Sequence, residues 1–146
     1  MGILRLSLEG VETILAAKGY TRAAENFHLN RQPRSVAHKS YTFGIGSIRP
    51  RYLAHNKADY LGTVVPLIIM WMVHGDHNTS GTQTEAYKDI LDEFELLETA
   101  IVNNQLRGND EDITFGESVP APWFSEDNQD ILMLTIPLVF DAVRSM

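Results

Sequence analysis

The sequence predicts an α/β domain of the α+β kind, with one mixed, mostly antiparallel sheet of about four strands flanked by two main helices. Three observations predict this class. Residues 64–73 are a run of large apolar, often β-branched side chains that only Pro66 interrupts, which is typical of a strand buried on both faces. Residues 3–18 and 83–104 carry apolar side chains at helical spacing. Residues 130–140 form a second strand-like apolar run.

The composition is that of one folded domain, which we expect to span residues 1–146. The chain is 44% hydrophobic and 21% charged, as is normal for a globular protein. It contains no cysteine, which excludes disulfides, thiolate metal ligands and cysteine nucleophiles. The central apolar run is shorter than the roughly 20 residues that a membrane-spanning helix needs, and the N-terminus lacks the pattern of a signal peptide. We therefore expect no membrane association.

The charges are unevenly distributed along the chain. The net charge of −7 argues against sequence-independent nucleic-acid binding, which depends on clustered cations. Acidic residues dominate residues 76–130, where Lys88 and Arg107 are the basic residues. Basic residues are frequent in the first sixty positions: Arg22, Arg31, Arg34, Lys39, Arg49, Arg51 and Lys57. The asymmetry predicts a dipolar surface suited to head-to-tail docking of subunits, and the alternative is two solvated faces.

The N-terminal segment predicts a helix followed by a short strand. Residues 3–18 form an amphipathic helix whose apolar stripe is Leu4, Leu8, Val11 and Leu15, and Gly19 is expected to end it. Residues 25–30 alternate enough to indicate a short strand with Phe27 and Leu29 directed inward. The following Pro33 is expected to interrupt that strand.

Residues 39–48 predict a further strand, with glycines on one of its faces. Tyr41, Phe43 and Ile45 are expected to share the other face. At Gly44 and Gly46 we expect another part of the chain to approach the backbone closely. Residues 49–61 show no periodicity and are expected to form an exposed loop joining this strand to the apolar one. Arg49, Arg51 and Tyr52 in that loop are candidate contacts with a partner or with another subunit.

The second half of the chain predicts a long acidic helix and a closing strand. Thr82 and Glu85 have the spacing of a capping box at the helix start. The predicted apolar stripe of this helix is Tyr87, Ile90, Leu91, Phe94, Leu97 and Ile101. Residues 113–115 indicate a short strand, and in the closing strand Pro137 indicates an edge or bulged position.

Trp123 and Phe124 lie in a proline-flanked acidic segment that is predicted to be a loop. Aromatic side chains exposed on loops often anchor partners. These two residues are therefore candidate contacts, and the alternative is that they fold back onto the core.

The strongest candidate for a chemical site is His74, Asp76 and His77, directly after the apolar strand. Imidazole and carboxylate groups at a strand end suit zinc, manganese or iron, and His38 is the histidine best placed as a third ligand. The alternative is a polar turn in which Asp76 bonds local backbone. No nucleophile elbow, dinucleotide fingerprint or P-loop is present. We predict no catalytic residue, metal or cofactor, and keep a small metal-dependent hydrolase as the alternative from another class.

The order of the predicted elements resembles that of the tail terminator, or tail completion, proteins of long-tailed bacteriophages. The resemblance rests on residues 27–35 (FHLNRQPRS) and 41–43 (YTF), the strand before His74, the helix 87–104 and the closing strand 134–140. It covers most of the chain as a match of layout and length, without a short signature motif.

The resemblance implies a structural virion protein of the phage neck. It implies a homo-oligomer, a hexameric ring, that caps the tail tube protein, joins the head–tail connector or stopper protein and leaves a channel through which DNA passes without specific binding. The implied location is the virion, with the host cytoplasm during assembly. A head–tail stopper or connector protein of the same neck is the alternative within this class.

Overall fold

The computed structural model describes residues 2–23, 38–54, 57–59, 62–73, 80–103, 111–124 and 130–145. The helices of this part are α1 (Ile3–Ala17) and α2 (Ser80–Val102). Its strands are β1 (Thr21–Arg22), β2 (Ser40–Phe43), β3 (Arg51–Ala54), β4 (Lys57–Asp59), β5 (Thr63–Met72), β6 (Glu111–Phe115), β7 (Val119–Phe124) and β8 (Asp130–Ser145). The α+β class with two helices and one sheet is confirmed, whereas the predicted number of strands is too low.

Helix α1 forms as predicted and ends in a Schellman motif. Gly19 has φ +88°, a left-handed conformation that glycine adopts without strain. Its N–H donates to the Ala16 carbonyl at 3.1 Å, and the N–H of Tyr20 donates to the Leu15 carbonyl at 2.9 Å. This pair of bonds satisfies the last carbonyls of the helix, and Leu15 and Tyr20 both enter the core.

Helix α2 begins earlier than predicted, and its predicted apolar stripe is confirmed only in part. Because it begins at Ser80, Thr82 lies in its first turn and the predicted N-cap position is wrong. Its buried side chains include Ile90, Leu97 and Ile101. Tyr87 and Leu91 were expected in the buried stripe but are exposed, because the buried face is centred on the side that also carries Ala86.

The sheet is mixed and mostly antiparallel, as predicted, and β8 organises it. Strand β8 pairs antiparallel with β4, β5, β6 and β7. Strand β5 pairs antiparallel with β2, and β2 pairs in parallel with the short β1. Strand β3 pairs with β4 and ends the path of strands. The partner of the central strand is therefore the C-terminal strand, which is 16 residues long.

The predicted loop at residues 49–61 is wrong over most of its length, because it contains β3 and β4. Strand β4 continues the line of β5 along β8, with Asp59 opposite Val143 and Thr63 opposite Phe140. Strand β4 pairs with β8, and β3 pairs with β4. Because this pairing supplies their backbone hydrogen bonds, β3 and β4 form without the alternation of apolar and polar residues by which a strand is recognised in a sequence. The same applies to β7, which was expected to be a loop.

One face of the sheet packs against both helices and forms the main core. The buried members of the core are Val11, Leu15, Tyr20, Tyr41, Leu67, Ile69, Ile90, Leu97, Ile101, Ile113, Leu134, Ile136, Leu138 and Phe140. On the opposite face, Met70 and Ile131 form a smaller buried cluster with partly buried neighbours. Val64 and Pro66 on that face are only half-buried, so burial of β5 on both faces is incomplete among the described residues.

The strand predicted at residues 39–48 is shorter than expected. Tyr41 and Phe43 pack on the core as expected, but Ile45 does not join them and is 77% exposed, because β2 ends at Phe43. The short strand expected at residues 25–30 lies outside the described residues.

Candidate assembly surface

Large apolar side chains are exposed along residues 45–52, which we call the arm. Within the arm, Ile45 is 77%, Ile48 68% and Tyr52 71% exposed. Arg49 and Arg51 are exposed between them. Isolated apolar residues on a surface are normal, but several of them in one short segment mark an interaction site. The arm therefore combines apolar area with cationic side chains.

Backbone contacts with β5 hold the root of the arm. Ser47 and Val64 form a two-way bridge, with N···O distances of 3.1 and 2.9 Å. The backbone N–H of Arg49 donates to the buried hydroxyl of Thr63 at 3.2 Å. A Cβ atom at Gly46 would lie 1.7 Å from the Val64 carbonyl oxygen, so only glycine fits there. The close approach predicted at this glycine is confirmed.

The predicted contact residues fall into two separate groups. Arg49, Arg51 and Tyr52 lie together on the arm, whose β3 pairs with β4, and β4 lies along the C-terminal end of β8. Trp123 and Phe124 lie in β7, opposite Ile131 and Asp130 at the N-terminal end of β8. Since β8 is 16 residues long, its length separates the two groups, and they do not form one surface.

The outer face of α2 is a second exposed surface, and the sequence pattern did not reveal it as such. Tyr87 is 44% and Leu91 45% exposed. Glu95 and Glu98 are also exposed. The spacing of these four residues places them on one side of a helix, because residues three and four apart are neighbours on its surface. We call this set the α2 ridge. The sequence did contain a sign of this surface. The predicted apolar stripe of α2 is wider than the side of a helix that the core of a two-layer domain buries.

A polar cluster joins α1 to the sheet at the margin of the core. The Tyr41 hydroxyl donates to Glu12 Oε2 at 2.6 Å, and Arg22 Nη2 lies 3.3 Å from the same oxygen. Burial, and next the Glu12 carboxylate, raise the pKa of Tyr41 to about 12. The cluster therefore joins α1 to β1 and β2 at the edge of the core.

A second polar cluster surrounds Lys39 between the end of α1 and α2. The Lys39 ammonium donates to the Lys18 carbonyl at 2.8 Å, lies 3.6 Å from Glu93 Oε1 and 4.8 Å from the centre of the Tyr20 ring. Burial, followed by the Glu93 carboxylate, raises the pKa of Tyr20. Among the described residues, no hydrogen-bond partner reaches the buried Tyr20 hydroxyl. The cluster joins the end of α1 and the middle of α2 through Lys39, the residue before β2.

The metal candidates His74, Asp76 and His77 lie outside the described residues. His38 is described, and its Nδ1 accepts the backbone N–H of Met72 at 3.1 Å while its ring packs edge-on against Trp71 at 4.4 Å. This places His38 at the end of β5. Within the described ranges, no group of three or more histidine or acidic residues could hold a metal ion.

Comparisons with protein-family models and with curated proteins found no match for this chain. In the part of the chain that the structure describes, neither helix has the length and apolarity needed to cross a membrane.

Proposed function

We propose that this protein is a structural component of a bacteriophage neck, of the tail terminator kind. In this role a ring of identical subunits, a hexamer, caps the tail tube, joins the tube to the head-side connector and leaves a channel for DNA. The proposal includes a fold of the tail terminator type, a virion location and no enzymatic activity.

The observation that carries the proposal is the exposed arm. Its apolar side chains are exposed, and the exposed Arg49 and Arg51 lie between Ile48 and Tyr52 in the sequence. Protein interfaces are enriched in aromatic residues and arginine relative to the rest of the surface. A segment of this composition that the fold exposes is expected to be covered by another protein in the working state.

The charge distribution also supports an assembly role. The exposed side of α2 is acidic, through Asp89, Asp92, Glu95 and Glu98, whereas the arm is cationic. Heterologous contacts between two unlike surfaces of identical subunits close a ring when the rotation between neighbours permits it. The net charge of −7 suits a channel that DNA crosses without adhering.

The proposal is tested by end-binding to tail tubes. Purified protein is mixed with tubes assembled from the tube protein of the same phage and imaged by negative-stain electron microscopy. We expect ring-shaped density at tube ends and a halt in tube growth when the protein is added during polymerisation. Tubes that grow unchanged and carry no extra density at their ends would reject the tail terminator function.

A second set of contacts on β7 is tested with the same assay. We expect Trp123→Ala with Phe124→Ala to weaken binding to tube ends while the variant stays folded. Unchanged binding would exclude this strand as a contact with the tube. The alternative neck role, a head–tail stopper, predicts instead binding to the head-side connector without any effect on tube growth.

The placement of His38 favours one candidate from another class, a metal-dependent hydrolase. His38 lies beside Met72 at the end of β5, and His74, Asp76 and His77 follow in the sequence. Elemental analysis of the purified protein tests this function. Stoichiometric zinc, manganese or iron that a His77→Ala variant loses would support the hydrolase, and a metal-free protein would remove it.

A further inference from the structure

We infer that the arm of one copy of this chain binds the α2 ridge of a second copy. The inference rests on the proposed ring function and identifies the surfaces by which neighbouring subunits meet. In the assembly, the ridge of a second copy covers each arm, and the arm of another copy covers each ridge.

The two surfaces complement each other in chemistry. The arm offers Ile48 and Tyr52, with Arg49 between them in the sequence. The ridge offers Tyr87 and Leu91 together with the carboxylates of Glu95 and Glu98. Joining them would bury the apolar groups and bring the positively charged arm close to the carboxylates of the ridge. Such complementarity steers association and fixes the register of an interface.

The arm and the ridge lie at different places in the fold, which permits a heterologous contact. The arm begins beside Val64, near the N-terminal end of β5, whereas α2 follows the C-terminal end of that strand along the chain. Each subunit therefore has one arm to give and one ridge to offer. A contact of this kind repeats from copy to copy and closes when the rotation permits it.

The test uses two variants with reversed charges. Variant A carries Arg49→Glu and Arg51→Glu, so that its arm and its ridge are both acidic. Variant B carries Glu95→Arg and Glu98→Arg, so that both of its surfaces are basic. In either variant alone, every arm–ridge contact brings together like charges. In an equimolar mixture, A and B can alternate, and every contact again brings together opposite charges.

We expect sedimentation velocity to show self-association of the wild type, at least tenfold weaker self-association of A and of B, and restored association in the mixture. A ring with an even number of subunits accommodates the alternation. The matched control carries Asp112→Arg and Glu117→Arg, which reverse two exposed acidic residues that belong to neither the arm nor the ridge, and should associate as the wild type does. Far-UV circular dichroism and thermal unfolding check that each variant is folded.

The apolar part of the contact has its own matched pair of variants. Leu91→Ser removes an apolar group from the ridge, whereas Leu96→Ser removes an equally exposed leucine that lies about 140° around the helix. We expect Leu91→Ser to weaken self-association at least tenfold and Leu96→Ser to leave it unchanged.

Three outcomes would overturn the inference: a wild type that stays monomeric up to millimolar concentration, variants A and B that associate normally, or a folded mixture that stays dissociated. None of these readouts uses tail tubes. A protein that passes the charge-reversal test but ignores tube ends keeps the arm–ridge contact and loses the neck function. A protein that binds tube ends but fails the test keeps the function and loses this contact.

Discussion

The Tyr41 hydroxyl gives a residue-scale prediction about stability at high pH. Its pKa is raised to about 12 by burial and by the Glu12 carboxylate, while in the unfolded chain it titrates near 10, the usual value for tyrosine. Below pH 10 the hydroxyl is protonated in both states and its full contribution is present. Between pH 10 and 12 the unfolded chain releases this proton and the folded chain keeps it, so the free energy of unfolding falls.

Comparison of the wild type with Tyr41→Phe isolates this effect. We expect the variant to be less stable by about 1–3 kcal/mol at pH 8, because it lacks the hydrogen bond to a charged partner. The stability difference between the two proteins should shrink as the pH rises from 10 to 12, since only the wild type carries the titrating group. Urea unfolding at a series of pH values measures it, and a difference independent of pH would contradict the assignment.

At the residue scale, the sequence revealed positions that local backbone geometry determines. Gly19 was expected to end α1 and Gly46 to permit a close approach, and both are confirmed. The hydrogen bond between Tyr41 and Glu12 joins residues 29 positions apart. No local pattern records such a pair, because it depends on how α1 packs on the sheet.

At the element scale, the two adjacent leucines of α2 test which side of the helix supplies the core. Leu97 is fully buried, whereas Leu96 is 42% exposed. We expect Leu97→Ala to lower the free energy of unfolding by about 2–5 kcal/mol, because the variant loses apolar burial and leaves a cavity. Leu96→Ala should cost less than about 1 kcal/mol.

Thermal or urea unfolding of the two leucine variants provides the measurement. Equal losses of stability would mean that α2 is rotated about its axis relative to the sheet. That result would contradict the placement of Leu97, rather than Leu96, in the core.

Elements whose own sequence shows an apolar periodicity were predicted. Strands that form only because they pair with another strand were not predicted. Helix α1, strand β5 and strand β8 each carry enough apolar side chains to indicate their type. Strands β3 and β4 are only four and three residues long, and β7, although apolar throughout, contains Pro120 and Pro122. These prolines are tolerated because β7 pairs with β8 alone among the described strands, and proline is accepted on edge strands.

At the scale of the whole molecule, the sequence indicated the class of the fold but not the order of the strands. The charge asymmetry predicted a dipolar surface suited to head-to-tail docking, with two solvated faces as the alternative, and it did not locate a contact. The arm and the α2 ridge can be recognised as surfaces only from the structure, which shows that β4 lies along β8 and which side of α2 is exposed. The candidate contacts on the arm were found from their residue types, whereas Tyr87 and Leu91 of the ridge were assigned to the core because periodicity gives the existence of a stripe more accurately than its centre.

The salt dependence of self-association is the whole-molecule prediction. Arm and ridge carry opposite charges in the wild type, and raising the salt concentration from about 0.1 M to 1 M shortens the screening length from about 10 to 3 Å. The wild type should therefore associate more weakly at high salt, by roughly two- to tenfold for a pair of exposed charge contacts. In the variant with Arg49→Glu and Arg51→Glu, like charges face each other, so high salt should strengthen its association.

This reversal of sign separates the electrostatic part of the contact from its apolar part. Leu91→Ser should associate weakly at both salt concentrations while keeping the wild-type sign of the salt effect, because it leaves every charge in place. Sedimentation velocity at the two salt concentrations supplies all of these values. If the Arg49 and Arg51 variant weakens with salt as the wild type does, the cations of the arm do not face an acidic surface, and another part of the molecule carries the attraction.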